Sequence, residues 1–275
     1  MNQYCFFNGE ILPLRDAKVS ILDIGLLRGY GMYEALAVIN TKPLHFSDHW
    51  QRLIRGAEAL NIKVPVSAKL AEEIIIEIVK KSEFTTRASI RIVLTGGRVI
   101  NGIEHNFDEP TFYMLAEEWK ALPKENYEKG AKLITHEYKR EMPKLKTTNY
   151  IMGASLQNFK NENGALEILY VNEGKVLECA TSNIFLIKDN VLITPEEEVL
   201  EGITRKIVLK LAEQDYKVER REVSFQELKS ADEVFITASF KDIVPVVKVD
   251  NFKIADGLVG KITRDLMGKF AKYLS

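Results

Sequence analysis

The chain has 275 residues, of which 46% are hydrophobic and 28% are charged, a composition that excludes disordered and fibrous proteins. At about 150 residues per domain, this length corresponds to two domains or one large one. Thirty-eight basic and 39 acidic residues leave a net charge of −1, so no overall basic field favours binding of nucleic acid. The two cysteines are too few for a disulfide framework or a cysteine-rich zinc site.

Residues 1–118 mix strands with helices. An Asn8-Gly9 turn between two short apolar stretches predicts a hairpin. Ser47 or Asp48 is expected to cap a helix that carries an apolar stripe. Periodicity and turn residues predict strands at 4–7, 11–14, 32–39, 87–95 and 111–116, and helices after residue 47 or 48 and over 67–81.

The remainder of the sequence is richer in strands. Strands are expected at 132–136, 166–171, 176–180, 184–187, 191–193, 218–223, 233–237 and 244–249, and helices at 150–161, 203–214 and 258–273. Residues 118–128 are polar, contain Pro123 and lack periodicity, which is typical of a boundary. The sequence therefore predicts an α+β fold with a small N-terminal α/β domain over 1–118, a linker over 119–128 and a larger domain over 129–275.

Several familiar motifs are absent from the sequence. Gly29-Tyr30-Gly31 lacks the third glycine of a dinucleotide-binding turn, and neither a P-loop nor a Gly-x-Ser-x-Gly elbow occurs. His45 and His49 have no evident third ligand, so we interpret both as solvated or capping residues and expect no metal site. No stretch approaches the ~18 apolar residues of a membrane span, and the first residues lack the features of a secretory signal. We therefore expect a soluble, cytoplasmic protein without membrane or nucleic-acid partners.

Two segments point to one kind of chemistry. Lys146-Thr147-Thr148-Asn149-Tyr150 leads into an expected helix, and Glu178 follows 32 residues after Lys146 in an expected strand. With three further segments in the same order along the chain, they resemble the class IV aminotransferases, which use pyridoxal phosphate. The further segments are His49-Trp50-Gln51-Arg52-Leu53, Gly202-Ile203-Thr204-Arg205 and Phe235-Ile236-Thr237-Ala238-Ser239.

The resemblance implies a two-domain fold type IV enzyme with pyridoxal 5′-phosphate as its cofactor. It implies that Lys146, selected over Lys144 by the Lys-x-x-Asn spacing, forms the Schiff base and moves the α-proton, and that Glu178 keeps the ring nitrogen protonated. A helix that starts at Ile203 would also attract phosphate through its free N–H groups. The cofactor-binding residues implied in full are Arg52, Lys146, Tyr150, Glu178, Ile203, Thr204 and Ser239.

The substrate side is expected around Arg28, Tyr33 and Arg91, because an arginine binds a carboxylate with two parallel hydrogen bonds. Arg91 occupies a strand position similar to that in branched-chain aminotransferases, and Arg28 lies in a loop that the family contributes across a dimer interface. The loop at Arg98 lacks the Arg-x-His pair of D-amino acid aminotransferases, and the sequence after Glu178 differs from that of the branched-chain enzymes.

These features predict an aminotransferase that acts on an amino acid and a 2-oxo acid as a homodimer. D-amino acid or mixed specificity is expected ahead of branched-chain L-amino acids. The alternative is a lyase of the aminodeoxychorismate type, which would use the same lysine and release pyruvate.

Overall fold

The computed structural model describes residues 3–84 and 86–274, and the chain forms two compact units. Unit 1 contains the residues up to Lys120 together with Leu145–Tyr150. Unit 2 contains Ala121–Lys144 and the residues from Ile151 onward. The segment that carries Lys146 therefore belongs to the first unit, although it follows 24 residues of the second.

Unit 1 is built on antiparallel β-structure. Its strands are β1 (Tyr4–Phe7), β2 (Glu10–Pro13), β3 (Gly31–Ile39), β4 (Lys42–Pro43), β5 (Arg87–Thr95), β6 (Val99–Asn101), β7 (Glu104–His105) and β8 (Thr111–Glu118). In the described part of this unit, six of them form one sheet in the order β2-β1-β8-β5-β3-β4, and β6 pairs with β7 in a separate hairpin. That hairpin was not predicted, because glycines at 96, 97 and 102 are typical of a loop.

The helices of unit 1 are α1 (Ile24–Arg28), α2 (Phe46–Ala59) and α3 (Ala68–Lys81). Alternation along β3 puts Met32 and Leu36 on one face of the sheet, where they form a core with Leu53 of α2 and Ile75 of α3. These four side chains are inaccessible to solvent. The opposite face of the same strand carries Tyr33, which bears on the site described below.

Helix α2 begins one residue before the predicted caps Ser47 and Asp48. His45 occupies the N-cap position in a left-handed conformation (φ 53°), and its side chain makes no capping hydrogen bond. Phe46 is buried and stacks on Trp50, with ring centroids 5.6 Å apart. Apolar packing of this first helical residue therefore fixes the start of the helix, in place of a polar cap.

Unit 2 has a large mixed sheet. Its strands are β9 (Ala131–Glu137), β10 (Glu167–Asn172), β11 (Lys175–Cys179), β12 (Asn183–Lys188), β13 (Val191–Thr194), β14 (Lys217–Arg220), β15 (Val223–Ser224), β16 (Glu233–Ala238), β17 (Asp242–Val249) and β18 (Phe252–Lys253). Over the described residues their order is β14-β13-β12-β16-β17-β9-β10-β11-β15, with β18 on β17. The predicted strand at 218–223 is two strands, because β14 and β15 pair with opposite ends of this sheet.

The helices of unit 2 are α4 (Lys124–Glu128), α5 (Ile151–Ser155), α6 (Gln157–Glu162), α7 (Ile203–Ala212), α8 (Phe225–Lys229) and α9 (Lys261–Leu274). The single helix predicted at 150–161 is thus two short helices. Helices α7 and α9 pack on Phe185 and Phe235 of the sheet, whose rings stack 4.8 Å apart. No helix within residues 3–84 and 86–274 is long and apolar enough to cross a membrane.

Candidate active site

The segment that carries Lys146 is held along the beginning of β3 by backbone hydrogen bonds. The amide of Tyr33 donates to the carbonyl of Lys146 (3.0 Å), and the amide of Thr148 donates to the carbonyl of Gly31 (2.9 Å). The hydroxyl of Thr148 donates to the carbonyl of Gly29 (2.9 Å). Because bonds on both sides fix its backbone, Lys146 presents its side chain from a defined position on the sheet.

Three residues predicted for the site meet at this position. The amine Nζ of Lys146 donates to the hydroxyl of Tyr33 (3.1 Å) and lies 4.3 Å from the centre of that ring. The rings of Tyr33 and Tyr150 pack edge to face, 5.6 Å apart, and their side chains are hydrogen-bonded. Burial raises the pKa of Tyr33, so a neutral phenol faces the amine at neutral pH.

Arg52 lies in a buried group of charged residues. Its Nε and Nη2 each donate to one carboxylate oxygen of Glu34 (2.7 Å both), and Nδ1 of His49 is 2.7 Å from the same carboxylate. Glu34 is completely buried. Burial raises the pKa of this carboxyl, but Arg52 and His49 outweigh that effect and lower it to about 2. The ionised pair therefore fixes the plane of the guanidinium.

Sequence reasoning missed Glu34 and misjudged its neighbour His49. His49 was expected to be solvated or capping, but its side chain is buried beside Glu34. The signal was present: Glu34 alternates with Met32 and Leu36 on β3, and a carboxylate on a buried face requires a cationic partner. His49 and Arg52 are three residues apart on α2 and therefore share one face of that helix.

The two arginines expected at the substrate are in different environments. Arg91 on β5 is paired with Ala35 of β3, so its side chain shares a sheet face with Tyr33. It is half exposed and forms an ion pair with Glu117 (2.9 Å). Arg28 is exposed at the end of α1 and donates to the carbonyl of Leu27 (2.9 Å). The structure thus places Arg91, but not Arg28, on the same face as Tyr33.

In unit 2, Glu178 lies buried on β11 with two kinds of donor. Its Oε1 accepts hydrogen bonds from Nε (2.8 Å) and Nη2 (2.7 Å) of Arg140, and its Oε2 accepts from the amide of Leu200 (2.9 Å). Arg140 was missed by sequence reasoning, because nothing in its local sequence distinguishes it from a surface arginine. The pairing holds Glu178 in its ionised form and in one orientation.

Helix α7 begins with the predicted residues Ile203 and Thr204, both of them buried. Gly202 precedes them, and a Cβ atom there would lie 2.0 Å from Oδ1 of Asn183. Asn183 in turn donates to the carbonyl of Leu200 (2.7 Å). The first amides of a ten-residue helix are thus presented by a closely packed turn, an arrangement suited to an anion.

Ser239 is the first residue of the turn between β16 and β17. Just before it, the hydroxyl of Thr237 is buried and has no hydrogen-bond partner among the described residues. A polar atom in that state favours a bound ligand or water. Within the part of the chain that the structure describes, no cluster of three or more His, Cys, Asp or Glu could hold a metal ion.

Each unit by itself carries groups that suit pyridoxal phosphate. Unit 1 supplies an amine beside neutral phenols and an oriented guanidinium. Unit 2 supplies an ionised carboxylate, a helix N-terminus and the unpartnered hydroxyl of Thr237. These are the kinds of group that an aldehyde, a pyridine nitrogen and a phosphate require.

Comparison with known proteins gives the family. Residues 31–249 match the model of the amino-transferase class IV family. The chain is 32% identical over 275 residues to a putative branched-chain-amino-acid aminotransferase of Methanocaldococcus jannaschii (96% of this chain, 94% of that protein). It is 31% identical over 278 residues to D-alanine aminotransferase of Staphylococcus aureus (98% and 97%).

A solved structure agrees with both matches. Branched-chain amino acid aminotransferase of T.th. with pyridoxamine 5′-phosphate superposes with a TM-score of 0.91 at 28% identity, covering 99% of this chain and 94% of that one. The expected fold type IV class, aminotransferase activity and cofactor are thereby confirmed. This chain belongs to the class IV aminotransferases, enzymes that depend on pyridoxal phosphate.

Proposed function

We propose that this enzyme transfers an amino group between an amino acid and a 2-oxo acid at Lys146, with D-amino acid or mixed specificity ahead of branched-chain L-amino acids. The placement of the Lys146 amine 3.1 Å from the Tyr33 hydroxyl carries the proposal. An amine held against a neutral phenol could condense with an aldehyde, with release of water, and, once a substrate amine has displaced it, could accept and return a proton. Pyridoxal phosphate supplies the electron sink that makes the α-proton of an amino acid removable.

In unit 1, Lys146 is proposed to accept and return the proton at Nζ, and Tyr33 is proposed to orient that amine. Tyr150 is the proposed partner of the phenolic oxygen of the cofactor, and its packing against Tyr33 supports a fixed hydroxyl position. Arg52 is proposed to bind the phosphate. The carboxylate of Glu34 supports this role, because it holds one edge of the planar guanidinium and thereby sets the direction of the other.

In unit 2, Glu178 is proposed to bind the ring nitrogen of the cofactor and keep it protonated. The paired guanidinium of Arg140 supports this role, because it keeps the carboxylate charged and able to stabilise a protonated nitrogen. Three groups are proposed to donate hydrogen bonds to the phosphate: the amides of Ile203 and Thr204 and the hydroxyl of Ser239. A helix N-terminus favours a bound anion through both its unpaired amides and its dipole.

We propose Arg91 as the receptor of the substrate carboxylate, supported by its place on the sheet face that carries Tyr33. Substitution of Arg91 by Met is expected to raise KM for the amino acid at least about tenfold, the loss of one charge-assisted hydrogen bond. Arg28→Met is the matched comparison. If Arg28 contributes from a partner subunit, its substitution raises KM as well. An unchanged KM in the Arg91→Met variant would contradict the role of Arg91.

We further propose that the enzyme is a homodimer. Two neighbouring segments of unit 1 expose apolar side chains, and the amide of Val99 joins them by donating to the carbonyl of Leu22 (2.9 Å). These exposed side chains are Ile21, Leu22, Leu26, Ile100 and Ile103. An exposed apolar cluster of this kind favours contact with a second copy. In sedimentation, Leu26→Glu is expected to yield monomers, whereas Leu70→Glu, at an exposed leucine on α3, is expected to leave the dimer intact.

The proposed reaction can be followed as the absorbance of the cofactor-loaded enzyme with one amino acid and no 2-oxo acid. D-alanine is expected to convert the cofactor to its aminated form, which bleaches the visible band, and L-leucine is expected to do so more slowly. Bleaching by L-leucine alone would reverse the proposed specificity. Release of pyruvate from aminodeoxychorismate, without transfer to any 2-oxo acid, would establish the lyase instead.

We also propose that the enzyme is cytoplasmic. Both cysteines are buried and unpaired, as is usual in compartments that keep thiols reduced. Fractionation of the host cells is expected to recover the enzyme with cytoplasmic markers, and recovery with a membrane or secreted fraction would contradict this placement.

A further inference from the structure

The turn that follows β16 in unit 2 has a well-defined backbone. The amide of Lys241 donates to the carbonyl of Ala238 (3.1 Å), which closes the turn over Ser239 and Phe240. Asp242 then adopts a left-handed conformation (φ 56°), unusual for a residue with a side chain. Ser239, which is proposed to donate a hydrogen bond to the phosphate, therefore lies in a turn whose shape depends on how Lys241 is held.

Lys241 is anchored at both ends. Its carbonyl accepts a hydrogen bond from the hydroxyl of Tyr127 (3.1 Å). Its ammonium donates to the carboxylate of Glu167 and to the hydroxyls of Thr181 (2.6 Å) and Ser182 (3.3 Å). We call the contacts of this ammonium the Lys241 clamp.

The acceptor in the Lys241 clamp is a deeply buried carboxylate. Glu167 is only 4% exposed, and burial alone would raise the pKa of its carboxyl. Lys241 and the hydroxyls of Thr181 and Ser182 outweigh burial and lower that pKa instead. A buried ion pair contributes little stability compared with apolar side chains of the same size. Its directional bonds do constrain geometry, which suggests that positioning is its role.

The clamp also joins two parts of the proposed cofactor site within unit 2. Thr181 and Ser182 form the turn after β11, the strand that carries Glu178, and the amide of Cys179 donates to the carbonyl of Ser182 (2.8 Å). The turn of Thr181 and Ser182 therefore directly follows the strand of Glu178. Through the ammonium of Lys241, it also anchors the turn that contains Ser239.

We infer that Lys241 is a positioning residue: clamped to Glu167, Thr181 and Ser182, it holds the turn of Ser239 in the conformation that receives the phosphate of pyridoxal phosphate. This inference rests on the proposed role of Ser239. Lys241 touches neither the cofactor nor the reacting atoms in this scheme. Its effect is therefore confined to ligands that carry a phosphate.

The test compares dissociation constants for pyridoxal phosphate and for pyridoxal, which lacks the phosphate, by absorbance titration. Lys241→Met is expected to weaken binding of pyridoxal phosphate at least about tenfold, because the displaced turn misplaces the charge-assisted hydrogen bond from the hydroxyl of Ser239 to the phosphate, and to leave pyridoxal binding unchanged. Lys241→Arg, which retains a cation for Glu167, is expected to restore part of the loss. Lys144→Met is the matched control, because Lys144 pairs with an exposed carboxylate of Glu197.

A double variant separates position from charge. Lys241→Met alone leaves Glu167 as an unpaired negative charge that could repel phosphate. Lys241→Met combined with Glu167→Gln removes both charges and should fold where the single variant is unstable. If position matters, this neutral variant still binds pyridoxal phosphate weakly.

Restored affinity in the neutral variant would overturn the inference, as would equal losses for both ligands or no loss at all. The proposed role of Ser239 is tested separately by Ser239→Ala in the otherwise wild-type enzyme. An unchanged affinity of that variant for pyridoxal phosphate would contradict the role of Ser239 instead.

Discussion

The buried pair of Glu34 and Arg52 makes the stability of this enzyme depend on pH in a defined way. The pKa of Glu34 falls from its ordinary value of 4.5 to about 2 in the folded protein. This lowering of the pKa corresponds to about 3 kcal/mol of stabilisation by the ionised carboxylate. Because the folded pKa is the lower one, this stabilisation is present above about pH 4.5 and is lost as the pH falls toward about 2.

Glu34→Gln removes the charge and leaves the guanidinium of Arg52 buried without a counter-ion. We expect this substitution to reduce the free energy of unfolding at pH 7 by about 3–5 kcal/mol. The difference between wild type and variant should shrink as the pH is lowered from about 4.5 to about 2, because the unfolded wild type then binds a proton at Glu34 that the folded protein does not yet bind. Urea unfolding followed by circular dichroism at several pH values measures both quantities.

Glu117→Gln is the matched control, because Glu117 also pairs with an arginine of the same sheet but is partly exposed. Its substitution is expected to cost about 0–1 kcal/mol at pH 7. A variant at Glu34 that costs no more than this control, or whose stability follows the same pH curve as the wild type, would refute the reasoning.

Three further predictions concern other parts of the structure. Gly202→Ala should push Asn183 away from the start of α7 and so lower both the Tm and the affinity for pyridoxal phosphate. Gly268→Ala, with nothing within 4 Å of the new Cβ, should instead stabilise α9 by up to about 1 kcal/mol. Similar Tm shifts in the two variants would contradict this prediction. Glu178→Gln should slow conversion of the cofactor by an amino acid at least about tenfold, and an unchanged rate in stopped-flow absorbance would exclude its role. Cys179 is buried and the pKa of its thiol is raised well above the usual value, so an aromatic disulfide reagent should label it only in denaturant. Rapid labelling of Cys179 in the native protein would contradict its burial.

Local patterns in the sequence were sufficient to predict most of the secondary structure. Apolar residues at 88, 90, 92 and 94 predict a strand over 87–95, the bounds of β5, because successive side chains of a strand point to opposite faces of the sheet and one of those faces lies on the core. Residues 67–81 similarly predict α3, whose cap Ser67 accepts a hydrogen bond from the amide of Leu70. The segment at Lys146 identified the family only together with the other segments in the same order along the chain, and each segment could be found because its residues are close together in the sequence.

Contacts between distant parts of the chain could not be predicted in the same way. The partner of Arg52 is 18 residues away on another element, and the partner of Lys241 is 74 residues away. Their pairing depends on strand order and register, which periodicity does not determine. The burial of Glu34 was accessible from alternation along β3, but its partners were not.

The identity of the lysine that bonds the cofactor tests the central claim most directly. The enzyme is loaded with pyridoxal phosphate, reduced with borohydride and digested, and the modified peptide is identified by mass spectrometry. The structure predicts the pyridoxyl group on Lys146, whose amine lies at Tyr33, and none on Lys144, which pairs with Glu197. Lys146→Ala should abolish the label and the visible absorbance band together. A label on Lys144 or elsewhere, or no label at saturating cofactor, would contradict the account.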